Sequence, residues 1–275
     1  MSAPSSSSYP TGATVRYLSD VDDATWALIA PILAPSRARG RPRLHPDRVI
    51  YNAILYVLRG GIQWRLLPDS FPSWQTVYSR FRRWADGGIW EKLTDTLRAE
   101  WRIEVGREPT PSAGIIDSQS VASGPGSGVI GYDAGKKVKG RKRHLVVDTQ
   151  GTVLAVVVTP ANVQDPVAAP EVLAQAKAKS ARLQLIWGDG RYHGPLVARA
   201  AHLLGLTVEV VSPPKGQKGF QVLAKRWIIE RTFAWLERYR RLARDWEAAS
   251  WSACAFIQIA ISNLVARRLA RVWAA

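Results

Sequence analysis

The chain has 275 residues, 47% of them hydrophobic and 9% aromatic with 12 Trp, which excludes a chain that stays disordered and leaves one large domain or two smaller ones. Its single cysteine, Cys254, excludes both an internal disulfide framework and a cysteine-based zinc finger, and points to a reducing compartment. Thirty-eight Lys and Arg against 22 Asp and Glu give a net charge of +16, which suits a polyanionic partner, nucleic acid first among them. Residues 1–17 open with MSAPSSSSYPTGAT, which lacks the basic start and apolar run of a secretory signal and is expected to be a disordered tail.

From 18 to 108 the spacing predicts a small all-α domain of four helices. The first begins after Ser19 or Asp20, either of which can cap it, and carries an apolar stripe of Trp26, Ile29, Ile32 and Leu33. Behind it, RARGRPR alternates Arg37, Arg39, Arg41 and Arg43 with Gly40 and Pro42; the pattern makes no helix face, and suits either guanidiniums laid along a phosphate backbone or a solvated loop. Val49 to Leu58 form the second helix, stopped by Gly60-Gly61. A third starts after Ser73, with Trp74, Val77, Tyr78, Phe81 and Trp84 on one side and Arg80, Arg82 and Arg83 projecting elsewhere, the pattern of a helix-turn-helix reader.

At Pro109 to Pro111 the texture changes, and a second domain, 109–275, is expected. Strands are predicted at 114–117, 144–148, 153–159 and 183–187, and helices near 166–180, 194–204, 222–244 and 248–273. This order indicates an α/β fold, a mixed sheet with helices on its faces. Ala248 to Ala266 approaches bilayer length but carries Ser250, Ser252, Gln258, Ser262 and Asn263, so it reads as a buried helix, and no membrane partner is expected.

Two predicted strands end in carboxylates, Asp117 and Asp189, at the edge where open α/β sheets hold ligands. Glu230, in KRWIIERTFAWLERYRRL, supplies a third. Three such acids drawn together raise one another's pKa unless divalent metal binds them, and oxygen-only ligands favour Mg²⁺, paired ions of which serve phosphodiester chemistry. Asp148, Asp133 and His193 compete, but read better as a turn former, a neighbour of a basic run and a loop hydrogen-bonder. Arg226, one turn before Glu230, is placed to orient that carboxylate, to touch the scissile phosphate, or simply to form a surface salt bridge. The run KKVKGRKR, with Lys136, Lys137, Lys139, Arg141, Lys142 and Arg143, holds six cations in eight residues and reads as a phosphate contact more readily than as a solvated loop. Arg238, Arg240, Arg241 and Arg244 extend the track.

The segments IIDSQSV, GYDAGKKVKGRKRHLVVDTQG, LAVVVTPANVQD, GDGRYHG and RWIIERTFAWLERYRRL together resemble the catalytic domain of the DDE transposases of bacterial insertion sequences, specifically the insertion sequence five group. GRPRLHPDRVIYNAILYVLRGGIQWRLLP is similar to the DNA-binding front of that group. The resemblance implies a ribonuclease-H-like core in which Asp117, Asp189 and Glu230, in that order, bind two Mg²⁺ ions, with Mn²⁺ able to substitute. It implies cleavage and strand transfer of double-stranded DNA at terminal inverted repeats, by at least a dimer on paired ends, in the bacterial cytoplasm at the nucleoid. Departures from the longer Tyr, Arg, Glu and Lys signature put Leu223 in the Tyr place and Glu237 in the Lys place, which bears on phosphate positioning rather than on the metal site. Other readings of the same sequence are a retired DNA-binding relative and a stand-alone nuclease of the same fold.

Overall fold

A computed structural model describes residues 17–33, 44–211 and 225–274. Arg37, Arg39, Arg41, Arg43 and Leu223 lie outside the described residues, as does the tail up to residue 16.

Four helices open the described chain: α1 (Asp23–Leu33), α2 (Asp47–Gly60), α3 (Trp74–Asp86) and α4 (Ile89–Glu104). The cap of α1 is Asp22, whose Oδ1 accepts the Thr25 N–H at 2.7 Å; Asp20, expected in that role, instead accepts the Tyr17 N–H. At the end of α2, Gly61 takes φ +70° and donates its N–H to the Val57 carbonyl, and a Cβ there would stand 2.9 Å from the Arg240 Cβ. Both backbone conformation and close approach therefore require glycine.

The sheet follows in β1 (Ala113–Ala122), β2 (Gly131–Asp133), β3 (Val138–Asp148) and β4 (Val153–Pro160), then α5 (Asp165–Lys179), β5 (Leu185–Gly188), α6 (Pro195–Leu204) and β6 (Thr207–Val210). The chain closes with α7 (Arg226–Glu237), the short α8 (Arg240–Ala243) and α9 (Ser250–Trp273). Antiparallel β3 pairs β1 on one edge and both β2 and β4 on the other, while β1, β5 and β6 run parallel. Four strands in antiparallel pairs, the short β2 among them, followed by two parallel ones that arrive through α5 and α6, give the expected ribonuclease-H-like α/β sheet, with a helical region before it.

Strand alternation sorts the side chains onto two buried faces. Ile116, Val146, Leu154 and Val157 pack with Ala169, Val172 and Leu173 of α5 and Val197 of α6. Ile115, Leu145, Val147 and Val153 point the other way, into a larger core shared with α7, α9 and the four N-terminal helices. Helix α9 is long and apolar enough to cross a membrane, yet it is buried at the centre of that core. Its polar residues are paired there: Ser262 with Thr94 at 3.0 Å, and Asn263 with the Tyr239 hydroxyl at 3.0 Å.

β1 and β3 run well past their expected lengths, because their polar halves pair with each other in one antiparallel ladder, most of it buried on β3. The basic run is therefore partly strand. Arg141, Lys142 and Arg143 are buried, held by the Val129 carbonyl and Asp245, by the Val163 carbonyl and Asp165, and by the Leu242 carbonyl respectively. These three leave the set of DNA contacts. So does Arg241, buried against Glu247 at 2.7 Å. The helix expected over 222–244 breaks after Glu237 into α7 and α8, and β2 and β6 are short pairs that the pattern did not announce.

One buried ion pair ties the helical region to the sheet: Arg102 of α4 reaches Asp148 at 2.8 Å, while Asp148 also receives the Gln150 and Thr152 N–H groups of the β3–β4 turn. Asp148 is thus the turn former that its position suggested. Arg102→Met leaves a buried carboxylate without its cation and is expected to cost about 3–5 kcal/mol in urea denaturation. Adding Asp148→Asn to that variant is expected to recover a large part of the loss.

Candidate active site

Asp117 points from β1 toward the face that carries Ile115, and Trp187 of β5 lies in the same core. Parallel pairing sets Ala113 beside Leu185 and Ile115 beside Trp187. Two further steps in that register bring Asp117 level with Asp189, at the carboxyl ends of both strands. Helix α7 covers this spot. Its packed side is Ile228, Ile229, Phe233 and Leu236, and it is pinned by three polar bonds: Thr232 Oγ1 to the Gly151 carbonyl at 2.8 Å, Arg231 to the Gln150 carbonyl at 3.1 Å, and Gln119 to Glu237 at 2.7 Å. On the flank of the helix beside that packed side stand Arg226 and Glu230, one turn apart.

A single guanidinium nitrogen joins the three acids. Arg226 Nη2 stands 4.0 Å from Asp117, 3.9 Å from Asp189 and 3.7 Å from Glu230. Asp117 and Asp189 side chains are 17% and 19% exposed and Glu230 is 51% exposed, so two carboxylates form the floor and the third faces solvent. Each floor carboxylate is oriented by a backbone amide, Asp117 by Ser118 N–H at 2.7 Å and Asp189 by Arg191 N–H at 2.9 Å. Burial first, and then the neighbouring Asp189 charge, push the Asp117 carboxyl up to about 6, against the pull of the Ser118 N–H and Arg226. Tyr192, buried beside Asp117, Asp165 and Asp189, has its hydroxyl raised well above its ordinary value, chiefly by burial, and stays neutral.

Among the described residues no group of three or more His, Cys, Asp or Glu stands close enough to hold a metal ion. The carboxylates here surround a guanidinium. Their donor set is nonetheless all oxygen, with one partly protonated acid that a cation would ionise, and this chemistry fits Mg²⁺ or Mn²⁺.

The remaining expected DNA contacts divide by exposure. Lys136, Lys137 and Lys139, in and after the β2–β3 turn, are exposed, and Lys136 Nζ donates to the Ser118 carbonyl at 3.1 Å, next to Asp117. Arg82, Arg83 and Arg238 are exposed, whereas Arg80 is paired with Asp47 and lies over the Trp84 ring. Arg240 and Arg244 are exposed and Arg226 is half-buried among the acids. His193 bonds the Gly190 carbonyl within its own loop. A cavity of about 600 Å³ lies elsewhere, lined by Trp64, Trp74, Tyr78, Arg241 and Trp246 and by none of the three acids. Sequence reasoning missed Ser118, Asp165 and Arg191, which shape the site from beneath; the only signal was their place inside the IIDSQSV, ANVQD and GDGRYHG motifs.

Residues 108–263 match a family model described as "Transposase DDE domain", and residues 21–94 match one described as "Putative transposase of IS4/5 family". An uncharacterized 16.2 kDa protein of insertion element IS402 from Burkholderia cepacia is 34% identical over 107 residues, covering 37% of this chain and 71% of that protein. The putative transposase for insertion sequence element IS402 from the same organism is 30% identical over 127 residues, 44% of this chain and 60% of that relative, so the chain spans less than two thirds of its length. A solved Mos1 strand transfer complex aligns over 86% of this chain and 79% of that one, at 14% identity and a TM-score of 0.31.

A carboxyl whose pKa is raised by folding loses stability as pH climbs from its unfolded value near 4 to about 6 and carries a constant penalty above that. Asp117→Asn removes the penalty. Its melting temperature is expected to exceed the parent's by about 2–5 °C at pH 7.5, with the gain vanishing below pH ~4.

Proposed function

The chain belongs to the family of transposases with a DDE domain, and from that premise we propose that it cuts and rejoins DNA at the terminal inverted repeats of its own insertion sequence, through Asp117, Asp189 and Glu230. The observation that carries this reading is the meeting of three carboxylates from β1, from the end of β5 and from α7 around one guanidinium nitrogen. No structural need brings them there: the exposed Glu230 adds nothing to the core, and Asp117 carries a burial penalty.

Asp117, Asp189 and Glu230 would hold two Mg²⁺ ions, with Mn²⁺ as substitute; when bound, the ions supply Lewis acidity to the attacking and leaving oxygens of an in-line phosphoryl displacement. The protein's own part is placement. Ser118 and Arg191 amides fix the lone-pair directions of the floor carboxylates, so those acids would meet an entering cation already oriented. Arg226 offsets part of the triad's negative charge, and with two divalent ions held by the same three acids it would be available to the phosphate. Lys136, on the Ser118 carbonyl, presents its charge beside Asp117. Lys137, Lys139, Arg82, Arg83 and Arg238 would continue the phosphate track, together with Arg39, Arg41 and Arg43. The working unit is proposed to be at least a dimer on paired double-stranded ends, in the bacterial cytoplasm at the nucleoid.

Purified protein with Mg²⁺ or Mn²⁺ and DNA bearing the gene's native borders is expected to yield nicked ends and products in which a 3′ end is joined to a second duplex. Asp189→Asn is expected to retain border binding and fold while lowering cleavage at least about a thousandfold. Border binding without any cleavage by the parent protein favours a retired relative, and cut ends without joining favour a nuclease. Neutralising Lys136, Lys137 and Lys139 together is expected to weaken binding to all sequences alike and to reduce the slope of log affinity on log salt by about 3. An unchanged slope places the phosphate track elsewhere.

A further inference from the structure

Beneath the floor of the site lies a fourth carboxylate, Asp165, the first residue of α5, which none of the proposed chemistry uses. It is buried, and each of its oxygens has a separate task. Oδ1 accepts the Ser118 hydroxyl at 2.7 Å, and Oδ2 accepts Arg191 Nη1 at 3.4 Å. Ser118 and Arg191 are the two residues whose backbone amides grip Asp117 and Asp189. One buried carboxylate thus holds, by their side chains, both of the residues that hold the floor acids by their backbones.

The rest of the surroundings fix Asp165 itself. Lys142 Nζ, buried on β3, stands 3.2 Å from Oδ1 and also donates to the Val163 carbonyl two residues before Asp165. His144 lies 3.9 Å away, with burial lowering its pKa to about 4, so it is neutral and its Nε2 is shared with Thr159. Burial pushes the Asp165 carboxyl up, but the Ser118 hydroxyl and Lys142 outweigh it and hold the group below the usual carboxylate range. Alternation along β1 explains the placement: Asp117 points up to α7, so Ser118 points down to α5. The strand that carries the first acid carries, one residue on, the handle by which it is fixed.

We infer that Asp165 is a positioning residue that sets the separation of Asp117 and Asp189 by clamping Ser118 and Arg191 at once. The inference rests on the triad reading of the preceding section. Outer partners of this kind are worth about 10- to 100-fold in metal affinity.

The test counts free Mn²⁺ by electron paramagnetic resonance during titration of the full-length protein, with a thermal melt of every variant. Asp165→Asn is expected to weaken Mn²⁺ binding about tenfold, Ser118→Ala and Arg191→Gln each by a few-fold, and Asp165→Asn is expected to add nothing to the Ser118→Ala/Arg191→Gln pair. Asp133→Asn removes the same charge from another Lys142 neighbour without touching Ser118 or Arg191, and is expected to bind within twofold of the parent. A merely structural Asp165 would lower the melt and leave Mn²⁺ affinity alone. If Asp165→Asn does not fold, the Ser118→Ala/Arg191→Gln pair carries the same expectation. The inference falls if Asp165→Asn, or that pair, binds within twofold of the parent while Asp189→Asn loses binding, or if Asp133→Asn weakens binding as much as Asp165→Asn. Parent-like binding by Asp189→Asn overturns the triad reading and this inference with it.

Discussion

Because β1 and β5 run parallel, with Ile115 beside Trp187, two carboxylates from distant parts of the chain arrive at the same height on the same face of one sheet. Antiparallel pairing would carry them to opposite ends of the sheet, and a one-residue slip would send one of them to the other face. All later features of the site presuppose this register. Ser118 falls on the opposite face because Asp117 falls on this one, and the loop after Gly188 turns where its Asp189 carboxylate can accept the Arg191 amide.

The third acid depends on a different kind of constraint, the docking of α7. Its apolar side enters the core that the N-terminal helices share with the sheet, and its polar ties reach the β3–β4 turn through Arg231 and Thr232. That turn is itself organised by Asp148, which Arg102 of α4 neutralises. A line of contacts therefore runs from the helical region through Arg102, Asp148 and the turn to the helix that carries Glu230. The region that reads as the DNA-binding front is packed against the same core as α7 and the sheet that carry the three acids.

Legibility in the sequence followed the physics that each residue answers to. Asp117 and Asp189 were readable because each closes a short apolar strand, and Glu230 because apolar neighbours mark the packed side of its helix. Helices α2 and α3 were readable from spacing, and α9 from polar residues that a bilayer would not accept. Cations misled. A run such as KKVKGRKR carries no alternation of hydrophobicity, and only the pairing of Arg141 with Asp245 and Lys142 with Asp165 makes its second half a buried strand. Asp22 displaced Asp20 as the cap of α1 through a choice between neighbours that spacing does not resolve. Asp165 was invisible for a related reason: its partners Ser118, Lys142 and Arg191 are brought together by the sheet rather than by sequence proximity.

If Asp117, Asp189 and Glu230 form one divalent-metal centre, as proposed, crystals of the protein grown with Mn²⁺ will show manganese by anomalous diffraction at about 2.0–2.4 Å from carboxylate oxygens of these three residues, with the Arg226 guanidinium moved from between them. Peaks at other acids, or no peak at the triad at saturating Mn²⁺ with Arg226 still bridging it, would contradict that assignment.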